Sequence, residues 1–259
     1  MKTKKILILG VSIFVMGVGI FTVKAMNGNV NNNTKTINFI DNKEVSVEYL
    51  TTRSIANTGD LEIYLDDSKN EYVYSNNQLV GYLKNVDLST KKVQENTKSV
   101  TSTKDLLQTY KSISDNLLTQ IINSNSKRSV KQNEYEINYT HYRDDYREYV
   151  YTYTNKIGGY NTNDSITISL DENGELSSFN ATRQGMFDQY ENIKIDKNDV
   201  NTFIENSMVE FLNGTTDTYD VYQQLINFNN GKLVLEIVVE IFHENSEYAY
   251  NTTVLKYEL

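Results

Sequence analysis

The sequence of 259 residues contains no cysteine, no proline and no tryptophan. Without cysteine the chain can form no disulfide, carry no lipoprotein anchor and build no thiolate zinc site. Its stability must therefore come from the burial of apolar side chains alone. Roughly 230 residues follow the N-terminal segment, which is enough chain for one or two hydrophobic cores.

Basic residues are scarce outside the N-terminus. The first 25 residues hold four lysines and no acidic residue, so the remaining chain carries 21 basic and 34 acidic residues, a net charge of −13. A protein that binds nucleic acid needs a basic surface that displaces counterions from the phosphates. The acidic balance therefore predicts a protein that binds no nucleic acid and is repelled by anionic lipids and anionic wall polymers.

Motifs for catalysis and metal binding are missing as well. The chain has two histidines, His141 and His243, and neither belongs to a zinc-peptidase helix motif. Glycine-rich phosphate loops and the Gly-x-Ser-x-Gly nucleophile motif are absent. The acidic run at 171–174 lacks the spaced acids of a calcium loop and is typical of a β-turn. The sequence therefore predicts no catalytic residue, no metal site, no cofactor and no enzyme.

The N-terminus has the pattern of an export segment. Three lysines among the first five residues precede an uninterrupted run of apolar and small residues at 6–23, which Lys24 ends. Such lysines stay in the cytoplasm, so the chain that follows is translocated. Val23 and Ala25 fit a cleavage site after residue 25, whereas 18 apolar residues come close to the ~20 that span a bilayer. A cleaved signal peptide and a retained membrane anchor both stay open.

Either alternative predicts an extracytoplasmic protein, secreted or anchored to the outer face of the cell membrane by the N-terminal helix. If the segment is uncleaved, residues 6–23 make the contact with the membrane. An exported chain without disulfides points to a Gram-positive cell surface rather than to a eukaryotic secretory route.

The rest of the chain alternates between strand and helix patterns. Period-two alternation bounded by Asn, Asp and Gly predicts hairpins, and three- and four-residue apolar spacing predicts helices at 103–123 and 197–213. Asp196 and Gly214 are the expected cap residues of the second helix. The expected fold is α+β, with two modules that each pack a helix on an antiparallel meandering sheet. The expected sections are 1–25 for the signal peptide or anchor, 26–43 for a flexible Asn-rich spacer, 44–123 for the first module, 124–133 for a linker and 134–259 for the second module.

Tyrosine is concentrated in one part of the second module. Eight of the 20 tyrosines fall between residues 135 and 160. Cross-strand aromatic packing is the favoured interpretation of this cluster. The alternative is an exposed ladder at Tyr149, Tyr151 and Tyr153 that binds peptide or glycan, since tyrosine combines apolar area with a polar tip.

A hairpin in the same module carries a family resemblance. The strand YVYTYT is followed by a turn at Gly158 and Gly159, the strand SITISL, the turn DENGEL and the strand SSFNA. The element I-x-L-D-x-x-G-E-L-x-S-F at 168–179 resembles the signature of PepSY and PepSY-like repeats, in which an aspartate–glycine turn joins two strands. The likeness spans residues 149–212, about a quarter of the chain. It resembles the tandem PepSY-like proteins that spore-forming Gram-positive bacteria export.

This resemblance implies a module that inhibits, assists or otherwise binds another protein, and it offers no catalytic residue. Together with the export segment, it predicts a cell-envelope protein that restrains or assists an extracytoplasmic enzyme, such as a peptidase or a wall-acting enzyme. A wall- or glycan-binding module is an alternative that depends on exposed tyrosines. A hydrolase with an unrecognised site is a second alternative, because serines are numerous although no motif places one beside a base.

Overall fold

The computed structural model of the chain describes residues 34–40, 43–55, 59–85, 103–124, 135–182 and 185–259. The predicted export segment at 6–23 lies outside these residues, as do residues 26–33 of the predicted spacer and 125–133 of the predicted linker. Neither of the two described helices is long and apolar enough to cross a membrane.

The described residues are mostly β-sheet with two α-helices, in keeping with the α+β class. Alternating apolar residues between turns rich in Asn, Asp and Gly account for the strands. The strands are β1 Thr34–Asn38, β2 Glu44–Ile55, β3 Gly59–Leu65, β4 Glu71–Ser75, β5 Gln78–Leu83, β6 Tyr135–Arg143, β7 Glu148–Ile157, β8 Tyr160–Leu170, β9 Leu176–Thr182, β10 Thr218–Asn229, β11 Lys232–Phe242 and β12 Ala249–Glu258. The helices are α1 Thr103–Ser124 and α2 Lys197–Leu212.

The strands form one sheet that is organised around β8. Strands β1 to β5 form an antiparallel meander, and β5 then pairs with β9, the last strand of a second meander formed by β6 to β9. Near its start, β8 also pairs in parallel with β10, with Asn161 opposite Leu225 and Thr162 opposite Ile226. Strands β10 to β12 form a third meander. Among the described strands, β1, β6 and β12 lie at edges of the sheet.

The first hydrophobic core, hereafter the tyrosine core, lies between α1 and residues of β1 to β9. Helix α1 buries Leu118, Ile121 and Ile122, which recur at the three- and four-residue spacing of one helix face. The helix contacts β6, β7 and β8. The buried tyrosines of this core are Tyr64, Tyr72, Tyr82, Tyr135, Tyr149, Tyr151 and Tyr153.

The second hydrophobic core, hereafter the aliphatic core, lies between α2 and strands β10 to β12. Helix α2 contributes Val200, Ile204 and Met208 from one face. The period-two stripe of β11 faces them, because alternate residues of a strand share a face. Its members are Leu233, Leu235, Ile237, Val239 and Ile241.

The tip of the β7–β8 hairpin belongs to the aliphatic core. Ile157 and Tyr160 are buried there, although most of both strands lies in the tyrosine core. Between them, Gly158 has a φ of +56°, and a Cβ at this position would lie 2.7 Å from the Ile195 side chain. Only glycine satisfies both conditions, since it adopts positive φ freely and has no Cβ. The hairpin therefore joins the two cores.

The structure confirms both predicted helices and the cap of the second. The Asp196 side chain accepts a hydrogen bond of 2.8 Å from the backbone amide of Asn198, as an N-cap residue does. The left-handed conformation expected at Gly214 is present, with a φ of +80°, but it begins one residue earlier at Asn213, with a φ of +44°. Asparagine tolerates this conformation better than most residues other than glycine.

Two features of the predicted layout differ from the structure. Residues 34–38 of the expected spacer form β1, which pairs with β2 through Ile37 opposite Val45. Helix α1, expected to pack within the first module, contacts strands of the second. Two separate modules divided at 124–133 are not shown, since the described strands belong to one sheet. This arrangement results from the long-range pairing of β5 with β9 and from the packing of α1 on β6 to β8.

Candidate functional site

Three tyrosines of β7, for which packing was the favoured interpretation and an exposed binding ladder the alternative, are buried. Tyr149, Tyr151 and Tyr153 are 5%, 0% and 2% exposed. They alternate along β7 and therefore share one face, which α1 covers. The Tyr151 hydroxyl donates to the carbonyl oxygen of Leu107 at 2.8 Å. The favoured interpretation of packed tyrosines is confirmed. The alternative of an exposed binding surface at these residues is wrong, and the glycan-binding alternative loses the surface on which it depended.

Tyr153 nevertheless reaches the wall of an open groove. Its hydroxyl oxygen lies 2.8 Å from both Ser114 Oγ and Asp115 Oδ1 on α1. Burial raises the pKa of the Tyr153 phenol above its ordinary range, and the hydrogen bond to Asp115 adds to this effect. The Lys111 ammonium donates to Asp115 Oδ2 at 2.6 Å from the preceding helical turn. These contacts hold Asp115 in one orientation.

The groove, hereafter the α1–β6 groove, lies between the helix and the edge strand. Its volume is about 510 Å³. Helix α1 supplies a charged pair and a leucine, β6 supplies three consecutive residues, and β7 supplies one tyrosine. The lining residues are Lys111, Asp115, Leu118, Tyr135, Glu136, Ile137 and Tyr153.

The β6 wall of the groove is an anchored edge strand. Tyr135 at its start donates to Asp164 Oδ1 at 2.7 Å, and Asp164 is fully buried. Among the described strands β6 pairs with β7 alone, so its outer side faces no other strand. A bulge interrupts this pairing between Ile137 and Tyr139, and the Tyr139 side chain is 51% exposed. An anchored edge with outward backbone groups can accept a further strand.

The charges along the groove are balanced. Besides the pair of Lys111 with Asp115, the Lys156 ammonium donates to Glu136 Oε2 at 2.5 Å. Lys156 itself lies outside the lining, and of the two aliphatic lining residues Ile137 is half-buried whereas Leu118 is 2% exposed. A helix beside an edge strand, with a groove lined mainly by polar side chains between them, suits an extended polypeptide, whose backbone pairs with the strand and whose alternate side chains enter the groove.

Sequence reasoning identified Tyr153 but missed the helix residues opposite it. Lys111 and Asp115 have the i, i+4 spacing of an ordinary surface ion pair, which carries no functional meaning by itself. The predicted layout placed 103–123 and 134–259 in different modules. A groove formed by one of these segments against the other could not be deduced from that division.

The two histidines lie on different strands and take part in different contacts. His141 on β6 stacks on Tyr139 with ring centroids 4.9 Å apart, and burial lowers its pKa. His243 follows β11 and stacks on Tyr250 at 3.8 Å, with its Nδ1 3.2 Å from Asp217 Oδ1. Among the described residues, no group of three or more His, Asp or Glu side chains could hold a metal ion.

Comparisons with known proteins add little to this geometry. No family model matches the chain, and no curated protein matches it. A solved structure described as the Bacillus megaterium YpeB C-terminal domain is similar over 88% of this chain and 92% of its own, at 14% identity and a TM-score of 0.36. A likeness of this degree does not establish a shared fold. The similarity to PepSY-like repeats therefore stays a prediction from the residues at 168–179.

Proposed function

We propose that this chain is a non-enzymatic protein-binding module of the cell envelope. Its α1–β6 groove would hold an extended segment of an extracytoplasmic partner, such as a peptidase or a wall-acting enzyme. The observation that carries the proposal is an anchored edge strand facing a helix across an open groove of about 510 Å³. Export of the chain by its N-terminal segment and the likeness to PepSY-like repeats support the choice of partner.

In the α1–β6 groove, backbone contacts would provide affinity and side-chain contacts would provide selectivity. Hydrogen bonds from the outer edge of β6 would hold the partner backbone, whatever its sequence. Apolar partner side chains would contact Ile137, and polar ones would meet the Lys111–Asp115 pair and Glu136. By capturing a segment near the active site of a bound enzyme, the module would restrain that enzyme. By capturing a segment that is still unfolded, it would assist its folding.

The test is chemical crosslinking in cells that produce the protein, followed by affinity purification and mass spectrometry. The groove variant is Lys111→Gln combined with Glu136→Gln, whose side chains are 39% and 60% exposed and whose substitution brings no like charges together. Its matched control is Lys43→Gln combined with Glu48→Gln, two exposed residues on and beside β2. Each double variant leaves the net charge unchanged.

We expect the wild type and the β2 control to enrich the same envelope enzyme and the groove variant to lose it. The enriched enzyme is then assayed with the purified protein, and its activity should change in proportion to binding. Recovery of the enzyme with all three proteins would place the contact elsewhere on the molecule. Recovery of no envelope protein with the wild type would reject the proposed function.

A further inference from the structure

Four Asn-Gly dipeptides occur in the chain, at 27–28, 173–174, 213–214 and 230–231. This dipeptide is chemically labile, because the glycine has no Cβ that would keep its nitrogen away from the amide carbon of the asparagine side chain. The structure describes the last three dipeptides, and the asparagine of each is exposed in a turn. Since the dipeptide is the same at all three places, differences in reactivity that disappear on unfolding come from the fold.

The reaction sets two conditions on the turn. The glycine nitrogen forms a bond to Cγ of the asparagine, and ammonia leaves with the proton that the glycine nitrogen loses. Water then opens the resulting succinimide at either of its two C–N bonds to carbonyl carbons, which gives aspartate or isoaspartate. The glycine amide must therefore be free, and the backbone must be able to rotate about the ψ angle of the asparagine.

The dipeptide at 173–174 does not meet these conditions. The Gly174 amide donates to the carbonyl oxygen of Asp171 at 2.9 Å, and the Asn173 amide donates to Asp171 Oδ1 at 2.9 Å. A Cβ at Gly174 would lie 3.0 Å from Tyr110 Cε1, and the Tyr110 hydroxyl donates to the carbonyl oxygen of Glu172 at 2.9 Å. Helix α1 and Asp171 therefore hold this turn in place.

The dipeptide at 230–231 is restrained by the sheet. Asn230 and Gly231 have φ angles of +51° and +79° and form the two-residue turn of the β10–β11 hairpin. Asn229 pairs with Lys232 directly beside the turn. Rotation about ψ of Asn230 would separate these two residues, so the reaction requires the end of the hairpin to open.

The dipeptide at 213–214 lacks both restraints. Asn213 follows the last residue of α2, and the connection to β10 at 213–217 is irregular. A Cβ at Gly214 would meet nothing within 4 Å, and among the described residues no backbone carbonyl accepts a hydrogen bond from the Gly214 amide. Rotation about ψ of Asn213 gives up the hydrogen bond of 3.0 Å from Thr215 to Leu212 but no strand pairing.

We infer that Asn213 is a modification site, at which the folded chain deamidates to aspartate and isoaspartate while Asn173 and Asn230 are protected. The product places a carboxylate at the C-terminal end of α2, where the helix dipole is already negative. The last turn of α2 contains Glu210 and no basic residue that would compensate the new charge. Deamidation therefore weakens the end of the helix that covers the aliphatic core.

The test is incubation of the full chain in heavy-oxygen water at mildly alkaline pH, followed by digestion in ordinary water and mass spectrometry. Heavy oxygen enters the side chain only when a succinimide is hydrolysed during the incubation, so the label reports the reaction at each asparagine. We expect Asn213 to react about tenfold faster than Asn173 or Asn230, a factor that one hydrogen bond and its packing can supply. In guanidinium chloride, which removes the turns, the three rates should become similar.

Two glycine variants provide a matched comparison. Asn213→Gly keeps a residue suited to the left-handed end of α2 but removes the reactive amide, and Asn230→Gly does the same in the hairpin turn. The first variant should no longer acquire the additional negative charge that ion-exchange chromatography detects, whereas the second should acquire it as the wild type does. Asn213→Asp should melt at a lower temperature than the wild type, because it reproduces the new carboxylate.

Four results would overturn the inference. They are similar rates at the three sites of the folded protein, faster reaction at Asn173 or Asn230, no label at Asn213, and a preference for Asn213 that persists in guanidinium chloride. The last would mean that neighbouring residues in the sequence, and not the fold, select the site. An unchanged melting temperature of Asn213→Asp would overturn the effect on α2.

Discussion

The tyrosine core and the aliphatic core belong to one sheet but use different chemistry. Seven buried residues of the first are tyrosines, whereas Tyr160 is the single buried tyrosine of the second. A buried phenol contributes apolar area, but its hydroxyl needs a hydrogen-bond partner. Tyr151 and Tyr153 find such partners on α1. Specific polar contacts therefore position α1, whereas α2 packs mainly through its shape and apolar area.

The largest effect that we expect from this difference is alkaline unfolding that begins in the tyrosine core. Burial raises the pKa of Tyr64, Tyr74 and Tyr151 to about 12 each. Above pH 10 the unfolded chain releases phenolic protons that the folded chain retains. The contribution of these phenols to the free energy of unfolding is therefore fully present below pH 10 and is lost as the pH rises toward 12. Circular dichroism and phenolate absorbance should therefore change together in this range.

A matched variant sharpens the alkaline experiment. Tyr64→Phe removes one of the titrating phenols while keeping the ring, so its transition should lie at higher pH than that of the wild type. Hydrogen exchange can report the two cores separately, with early loss of protection expected in β7. If the core tyrosines form phenolates without any loss of structure, the prediction that alkaline unfolding begins in the tyrosine core is wrong.

A smaller effect is expected when one tyrosine ring is deleted. Tyr151 is fully buried between β7 and α1, so Tyr151→Ala leaves a cavity and should lower the free energy of unfolding by about 3–5 kcal/mol. Tyr248→Ala is the control, since Tyr248 is 72% exposed, and should change it by less than about 0.5 kcal/mol. Urea titration measures both, and similar values for the two variants would remove the distinction between buried and exposed tyrosine.

The smallest effect isolates a hydroxyl. Tyr153→Phe keeps the ring but removes the contacts with Ser114 and Asp115, and a hydrogen bond to a charged group contributes about 1.5–3 kcal/mol. We expect a loss of stability in that range from urea titration. Tyr248→Phe provides the exposed comparison and should be nearly neutral. A neutral Tyr153→Phe would mean that the contacts of this hydroxyl with Ser114 and Asp115 do not help to hold α1.

Much of the local structure can be predicted from the sequence. Strand β11 and both helices can be predicted without knowledge of the rest of the chain. The spacing of their apolar residues and the types of residue present are enough to identify them. The pairing of β5 with β9 is different, since it joins residues almost 100 positions apart, Gly81 and Asn180. Several edges could accept β5 by pattern alone. Which of these edges pairs with β5 depends on how the packed faces of the sheet and of α1 fit together.

The candidate site shows the same limit. The concentration of tyrosines near β7 was evident, but whether Tyr153 is exposed depends on where α1 lies. The groove needs Lys111 and Asp115 on that helix to face Glu136 on β6. The sequence between α1 and β6 was predicted only as a linker at 124–133. The relative position of α1 and β6 therefore follows from tertiary packing and not from any motif.

The β7–β8 hairpin has a consequence for the order in which the chain can be completed. A chain that emerges with its N-terminus first contains every strand of the tyrosine core once residue 182 is available. At that moment Ile157 and Tyr160 project beyond it, and the residues that cover them lie between 187 and 259. Until synthesis reaches the last strand, the hairpin presents an apolar tip to chaperones and to proteases. The final quarter of the chain therefore completes a structure that is already largely formed.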